Sequence, residues 1–197
     1  ASAAFDIVYG AAAQLSLVTE PSSDAQSGAP FSQQPTVQLE DASGNPVSLA
    51  GVEITAEILS GLSGAILTGT SASTDASGLA AFATLTLTGP VGDYTIRFTS
   101  PTLGPAVSGT ISLAAGPAAQ LGKVTEPSGT VQSGVPFSEQ PVVRVEDTAG
   151  NPIAVAGVEI SVSIASGDPA LVGTPTASTN ASGVATFGGL SIDGAVG

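Results

Sequence analysis

AAQLSLVTEPSSDAQSGAPFSQQPTVQLEDASGNPV, residues 12–47, returns as AAQLGKVTEPSGTVQSGVPFSEQPVVRVEDTAGNPI at residues 118–153. The likeness resumes in AGVEI, at Ala50 and again at Ala156, and in SASTDASGLAAF from Ser71 against TASTNASGVATF from Thr176. About half of the aligned positions are identical, over a period of roughly 100 residues with one single-residue gap. A repeat of that length is the size of one β-sandwich domain.

Within the first copy, apolar and polar residues alternate in TVQLE from Thr36, VEITAEIL from Val52, AAFATLTLT from Ala80, DYTIRFT from Asp93 and GTISL from Gly109. Period-2 alternation marks strands with one buried and one wet face. Between them, SGNP from Ser43, SGLSG from Ser60, DASG from Asp75 and TGPVG from Thr88 supply the Gly, Pro, Asn and Asp that turns require. In TLTLT the leucines face inward and the threonines face solvent. No stretch has helical periodicity. The expected fold is all-β: tandem antiparallel two-sheet sandwiches of some seven short strands each, on the order of a common sandwich domain.

The phase of the repeat sets the expected organisation. The first copy runs complete over 11–116, whereas the second, 117–197, stops where Gly197 aligns with Gly92. Nothing in it corresponds to DYTIRFTSPTLGPAVSGTISLAAG, so it is expected to lack its last two strands. At the other end, residues 1–10 (ASAAFDIVYG) align with VSGTISLAAG from Val107, which sets Phe5 and Ile7 opposite Ile111 and Leu113. Residues 1–10 therefore read as the last strand of a preceding repeat or as a donor strand, with Phe5 and Ile7 as assembly residues. Each Leu, Val or Phe left uncovered forfeits roughly 1.5–3 kcal/mol, against a domain stability of about 5–15 kcal/mol. The second copy thus needs more chain or strands from a neighbour. Continuation of the chain is favoured over exchange, because residues 1–10 offer no equivalent of DYTIRFTS. Association with neighbouring repeats or with copies of itself, head to tail, would build open filaments. The short junction LAAGPAAQL from Leu113 has no long Gly/Ser spacer, which favours a semi-rigid rod.

Composition removes many functions. The 197 residues contain no Cys, His, Met or Trp, and Arg97, Lys123 and Arg144 face sixteen acidic residues for a net charge of −13. Imidazole bases, thiolate nucleophiles, N/S zinc sites and disulfides are excluded. Three scattered cations cannot hold a phosphate backbone or an anionic membrane surface, so nucleic acid and membranes are not expected partners. No apolar run approaches the ~20 residues that span a bilayer. The chain carries no basic, apolar-cored leader and reads as mature or as a piece of something longer. Absence of Cys fits an extracellular or cell-surface location.

VQLEDASGNPV, AGVEITAEI, TDASGLAAFATLTL and GDYTIRFTS together resemble bacterial immunoglobulin-like repeats, of the kind found in tandem in invasin- and intimin-type adhesins. The pairing of D-x-x-G-N-P-V with T-D-x-x-G-x-A about thirty residues later carries the resemblance. It implies an immunoglobulin-like sandwich and a stalk, fibre or spacer at the cell surface, with no reaction; an adhesin segment binding host protein or carbohydrate is the alternative.

Among single residues, Tyr94 stands two positions after Gly92, where such sandwiches place a tyrosine whose hydroxyl ties down a corner. Phe31 and Phe137 recur after Pro as plugs at the sandwich end; Phe82, Phe187 and Phe98 lie on inward phases. The carboxylates are the one catalytic resource. Neighbours Glu40–Asp41 and Glu146–Asp147 point to opposite faces of a strand and do not form an acid/base couple. Asp41 and Asp147 are expected to hold the following turn through side-chain to backbone hydrogen bonds. Calcium, which needs about six or more oxygens, is the second reading, with Glu20, Asp41, Asp75, Glu126 and Asp147 as candidate ligands. No D-x-D-x-D run exists, and Asn180 replaces Asp75 in the second copy. Asn180 also opens an N-A-S glycosylation pattern.

Overall fold

The alternation of Val, Ile, Leu and Thr with polar residues produces strands joined by turns throughout the computed structural model, which describes residues 8–167 and 169–195. The chain divides into two units, Ala1–Ala114 and Ala115–Gly197. Phe5 and Ile7 lie outside the described residues.

The first unit holds β1 (Ala12–Thr19), β2 (Asp24–Gln26), β3 (Thr36–Asp41), β4 (Glu53–Ser60), β5 (Ile66–Thr68) and β6 (Ser71–Ser73). It continues with β7 (Leu79–Ala81), β8 (Thr86–Thr88), β9 (Gly92–Ser100), β10 (Leu103–Val107) and β11 (Ile111–Ala114). One layer is β1-β3-β7, antiparallel throughout. The facing layer is centred on β9, which pairs with β4 on one edge and with β10 and β11 on the other; β6 extends it beyond β4. Alternate residues of both layers meet inside: Leu15, Val37, Leu39 and Ala80 from one, Ile54, Ala56, Tyr94, Ile96, Phe98, Ile111 and Leu113 from the other. Phe82 and Phe98 meet edge to face with ring centroids 5.3 Å apart, a favoured aromatic geometry.

Three details differ from the sequence expectation. The alternating run AAFATLTLT is two strands, because the chain leaves β3 over the stretch 82–85 and crosses to pair with β5. Gln34 holds that crossing: its amide donates to the carbonyls of Phe31 (3.0 Å) and Leu85 (3.1 Å), and its oxygen accepts Leu85 N–H at 2.8 Å. Leu85 and Leu87 remain buried beyond it. Second, residues 92–114 form three strands rather than two. Ser108 breaks the run: Ile96 and Ser108 exchange two hydrogen bonds, from Ser108 N–H to Ile96 carbonyl and from Ile96 N–H to Ser108 Oγ. Third, β1 pairs with β10, and β2 with β11, in parallel, so pairing is not antiparallel everywhere.

The second unit repeats the plan in β12 (Gln120–Thr125), β13 (Val142–Glu146), β14 (Glu159–Ser161), β15 (Ala170–Val172), β16 (Thr176–Ser178), β17 (Val184–Thr186) and β18 (Ser191–Asp193). The layer β12-β13-β17 copies β1-β3-β7, and the pairs β14-β16 and β15-β18 copy β4-β6 and β5-β8. Among the described residues its buried apolar cluster is small: Ile160, Ala185, Phe187 and Leu190. Turns are copied with the strands. Gly78 and Gly183, at φ +81° and +75°, end the DASG and NASG turns in the left-handed region that favours glycine. A side chain at either would also meet a backbone carbonyl, of Val47 or of Ile153.

Candidate functional site

The residues most completely engaged by the fold are the aspartates at the ends of β3 and β13. Asp41 Oδ1 accepts the N–H groups of Ser43 and Asn45, both at 2.9 Å. The Asn45 side-chain amide reaches both carboxylate oxygens, and Oδ2 also accepts Gly10 N–H at 2.8 Å. Asp147 repeats this: Ala149 N–H at 2.8 Å and Asn151 N–H at 2.9 Å on Oδ1, the Asn151 amide and Gly116 N–H on Oδ2 at 2.8 and 2.7 Å. Local spacing explains the first set. In D-x-x-G-N-P an aspartate at the strand end folds back onto N–H groups two and four residues on. The glycine bonds are not local; both span 31 residues and fasten the chain at the head of each repeat onto its turn.

Donor saturation sets the electrostatics. The Asn45 amide, with the N–H groups of Gly10 and Asn45, holds the Asp41 carboxyl well below the usual carboxylate range. For Asp147 burial works upward but is outweighed by the Asn151 amide and the N–H groups of Gly116, Asn151 and Ala149, so its pKa is also lowered. Hydrogen bonds to the charged form produce this direction.

Within each unit the calcium candidates are engaged separately. Asp75 accepts Ser77 N–H, Ser77 Oγ and Leu79 N–H at 2.8, 2.6 and 3.0 Å, which lowers its pKa, the Ser77 hydroxyl first. Asn180 makes the same backbone bonds to Ser182 and Val184 with a neutral amide oxygen, so the turn needs an acceptor and not a charge. Glu20 Oε2 accepts Gly109 N–H at 3.2 Å, and Glu126 forms an exposed ion pair with Lys123. Among the described residues no three acidic side chains converge as a metal site. The strand-end glutamates turn elsewhere: Glu40 accepts Ser16 Oγ at 2.6 Å, and Glu146 pairs with Arg144 at 2.8 Å. Tyr94 is buried with its hydroxyl donating to Pro90 carbonyl at 2.7 Å, and burial pushes its pKa up. Phe31 is buried, while Phe137 is only partly covered.

Sequence reasoning missed Gly10 and Gly116, although each stands the same distance ahead of its aspartate. It also missed where Phe137 leads. In the second unit Phe137, Pro141, Val143, Val162, Leu171 and Leu190 line an open apolar groove of about 350 Å³.

The family model for SMCHD1 Ig-like domain 6 matches residues 10–113, just over half of the chain. A search of curated proteins returned no match. Among solved structures, the chain is similar to FdeC, an Escherichia coli adhesin, at 20% identity and a TM-score of 0.44, with 93% of this chain and 56% of that chain covered. It is similar also to the Yersinia pseudotuberculosis adhesin InvE at 20% identity and a TM-score of 0.41, with 91% and 50% covered. The chain spans about half the length of these structures, and likeness at that level carries no functional argument.

Proposed function

We propose, from the premise that the chain belongs to the immunoglobulin-like domain family described as SMCHD1 Ig-like domain 6, that it is a non-catalytic structural segment of an extracellular bacterial surface protein. Its repeats, joined end to end with neighbouring repeats or further copies, serve as a stalk or filament. The observation that carries this reading is the duplicated fastening of Gly10 to Asp41 and of Gly116 to Asp147. A sandwich whose only task is to present something elsewhere gains most from a fixed attachment of the chain that leads into it, since a loose leader adds slack at every repeat. Two further features support it. The aspartates that offered catalytic or metal-binding chemistry are occupied as turn acceptors. The chain is rich in Ser and Thr, without Cys or His, in keeping with an extracellular life.

Antibody labelling of intact and permeabilised source cells tests the location: equal staining of both supports a surface protein, and staining only after permeabilisation overturns it. Small-angle scattering of the full chain tests the spacer role. An extended particle is expected, and a compact sphere contradicts it.

A further inference from the structure

We propose that Asn180, in the turn between β16 and β17, is a site of covalent glycosylation through its side-chain nitrogen. The chain holds three asparagines, and only Asn180 has a Ser or Thr two residues on with no Pro between, as N-A-S. That is the pattern in which an asparagine amide accepts a sugar. Asn45 and Asn151 are each followed by Pro, and both commit their side-chain amides to an aspartate, Asp41 or Asp147.

Three residues match a pattern easily by chance; the geometry of the turn is what singles this one out. Asn180 Oδ1 accepts Ser182 N–H at 2.9 Å and Val184 N–H at 3.1 Å. Two N–H donors call for the oxygen on that side, which fixes the orientation of the carboxamide. Nδ2 stands across the amide carbon from them and makes no hydrogen bond to the described residues. Asn180, Ala181 and Ser182 are all exposed, so an enzyme can approach the free nitrogen and the Ser182 side chain together.

The first unit shows how close the two side chains come in this turn. There Ser77 Oγ donates to Asp75 Oδ1 at 2.6 Å, so the hydroxyl two residues ahead reaches the side-chain group that opens the turn. Modification also leaves the turn in place. The glycosylated amide keeps its oxygen, both backbone bonds survive, and the sugar extends into solvent.

The reaction needs a sugar activated as a phosphate or pyrophosphate ester and a glycosyltransferase of the source cell. A bond forms between Nδ2 and sugar C1, and the bond from C1 to the phosphate oxygen breaks. The phosphate carrier leaves with that electron pair, and Nδ2 gives up one proton to the transferase. The site goes beyond the stalk reading and holds whether or not the repeats form a stalk.

The experiment isolates the chain from its source cells and fragments the peptides that cover Asn180 in a mass spectrometer. A sugar on Asn180 is expected. Asn180→Asp gives the turn the side chain that the first unit already folds with at Asp75, and it should abolish the modification. Ser182→Ala, which keeps Nδ2, should abolish it as well. Asp75→Asn turns the D-A-S of the first unit into the same pattern on the same turn, and a second sugar should appear there. Asn180 bare throughout the native chain overturns the proposal, as does a sugar that persists in Asn180→Asp. An Asp75→Asn chain that gains nothing at residue 75 would show that the turn is not what the transferase recognises, and the proposal would fall with it.

Discussion

The two units carry nearly the same strand sequences in different company, and the strands answer to the company. EITAEILS makes a strand of eight residues in the first unit; its counterpart EISVSIAS makes one of three in the second. Leu15 is 5% exposed and its repeat partner Leu121 is 51% exposed, although both follow AAQ. Local β-propensity is the same or better in the second copy, since Val162 replaces Ala56. What differs is that β9 and β11 cover the inner face in the first unit and have no counterpart among the described residues of the second. Strand preference measures packing against neighbours more than an intrinsic backbone tendency, and this chain contains the control experiment. The parts that do not need β9, namely the layer β12-β13-β17 and the turns that close it, take the same form in both units.

If the partner strand is the cause, weakening β9 should make the first unit behave like the second. Phe98→Ala removes a fully buried ring that meets Phe82 and Ala56 and should cost about 3–5 kcal/mol. At about 4–8 °C per kcal/mol for a domain of this size, the first melting transition should fall by at least about 12 °C. Within the remaining folded state, amides at residues 57–60 should lose protection ahead of residues 53–55, which pair with β6. Even loss along the whole of β4 would break the comparison.

A second effect, smaller and shared by both units, tests the fastened glycines. Asp147→Ala strips the donors on Gly116, Ala149 and Asn151 of their acceptor in a buried position and should destabilise the second unit by about 2–3 kcal/mol. Asp41→Ala should act in the same direction on the first. The pH dependence follows from the lowered carboxyl values of both groups. A depressed folded pKa contributes stability that is complete above the unfolded value of 3.8 and lost as pH falls through the lower folded value. Melting followed from about pH 6 to about pH 2 should therefore show a flat region and then a decline below about pH 4. In the double alanine variant that decline should shrink. An unaltered acid slope would mean that other carboxylates cause it.

How much of this was legible beforehand depends on the range of each interaction. The sandwich and its inward residues follow from alternation, and Leu85 and Leu87 face inward as their pattern requires. The Asp41 and Asp147 turns follow from contacts two and four residues away. The crossing at residues 82–85 does not, because alternation continues through it and the break is imposed by Gln34, some fifty residues earlier in sequence. Nor do the parallel pairings of β1 with β10 and β2 with β11, whose partners are remote. Gly10 and Gly116 were invisible in either copy alone. A signal did exist in their constant offset from the aspartates, but only a reason to ask about the leading chain would have raised it. The shortening of β14 was not foreseeable, since its sequence still alternates.

The smallest expected effect is the most pointed. Asp75 and Asn180 occupy the same turn, one charged and one neutral, and each accepts two backbone N–H groups from the residues two and four ahead. If the turn requires only an oxygen at that point, Asp75→Asn should leave the first unit's melting midpoint within about 2 °C, in line with exposed substitutions that keep their hydrogen bonds. The carboxylate also accepts a bond from Ser77 Oγ at 2.6 Å, and the amide introduced by D75N would retain an oxygen able to take it. Any loss should therefore appear only as a slightly weaker dependence on acid, because the group that titrates is gone while the turn remains. A drop as large as that of Asp147→Ala, or one reversed by added calcium, would show that the charge at Asp75 does something its neutral twin cannot, and the equivalence of the two turns would fail.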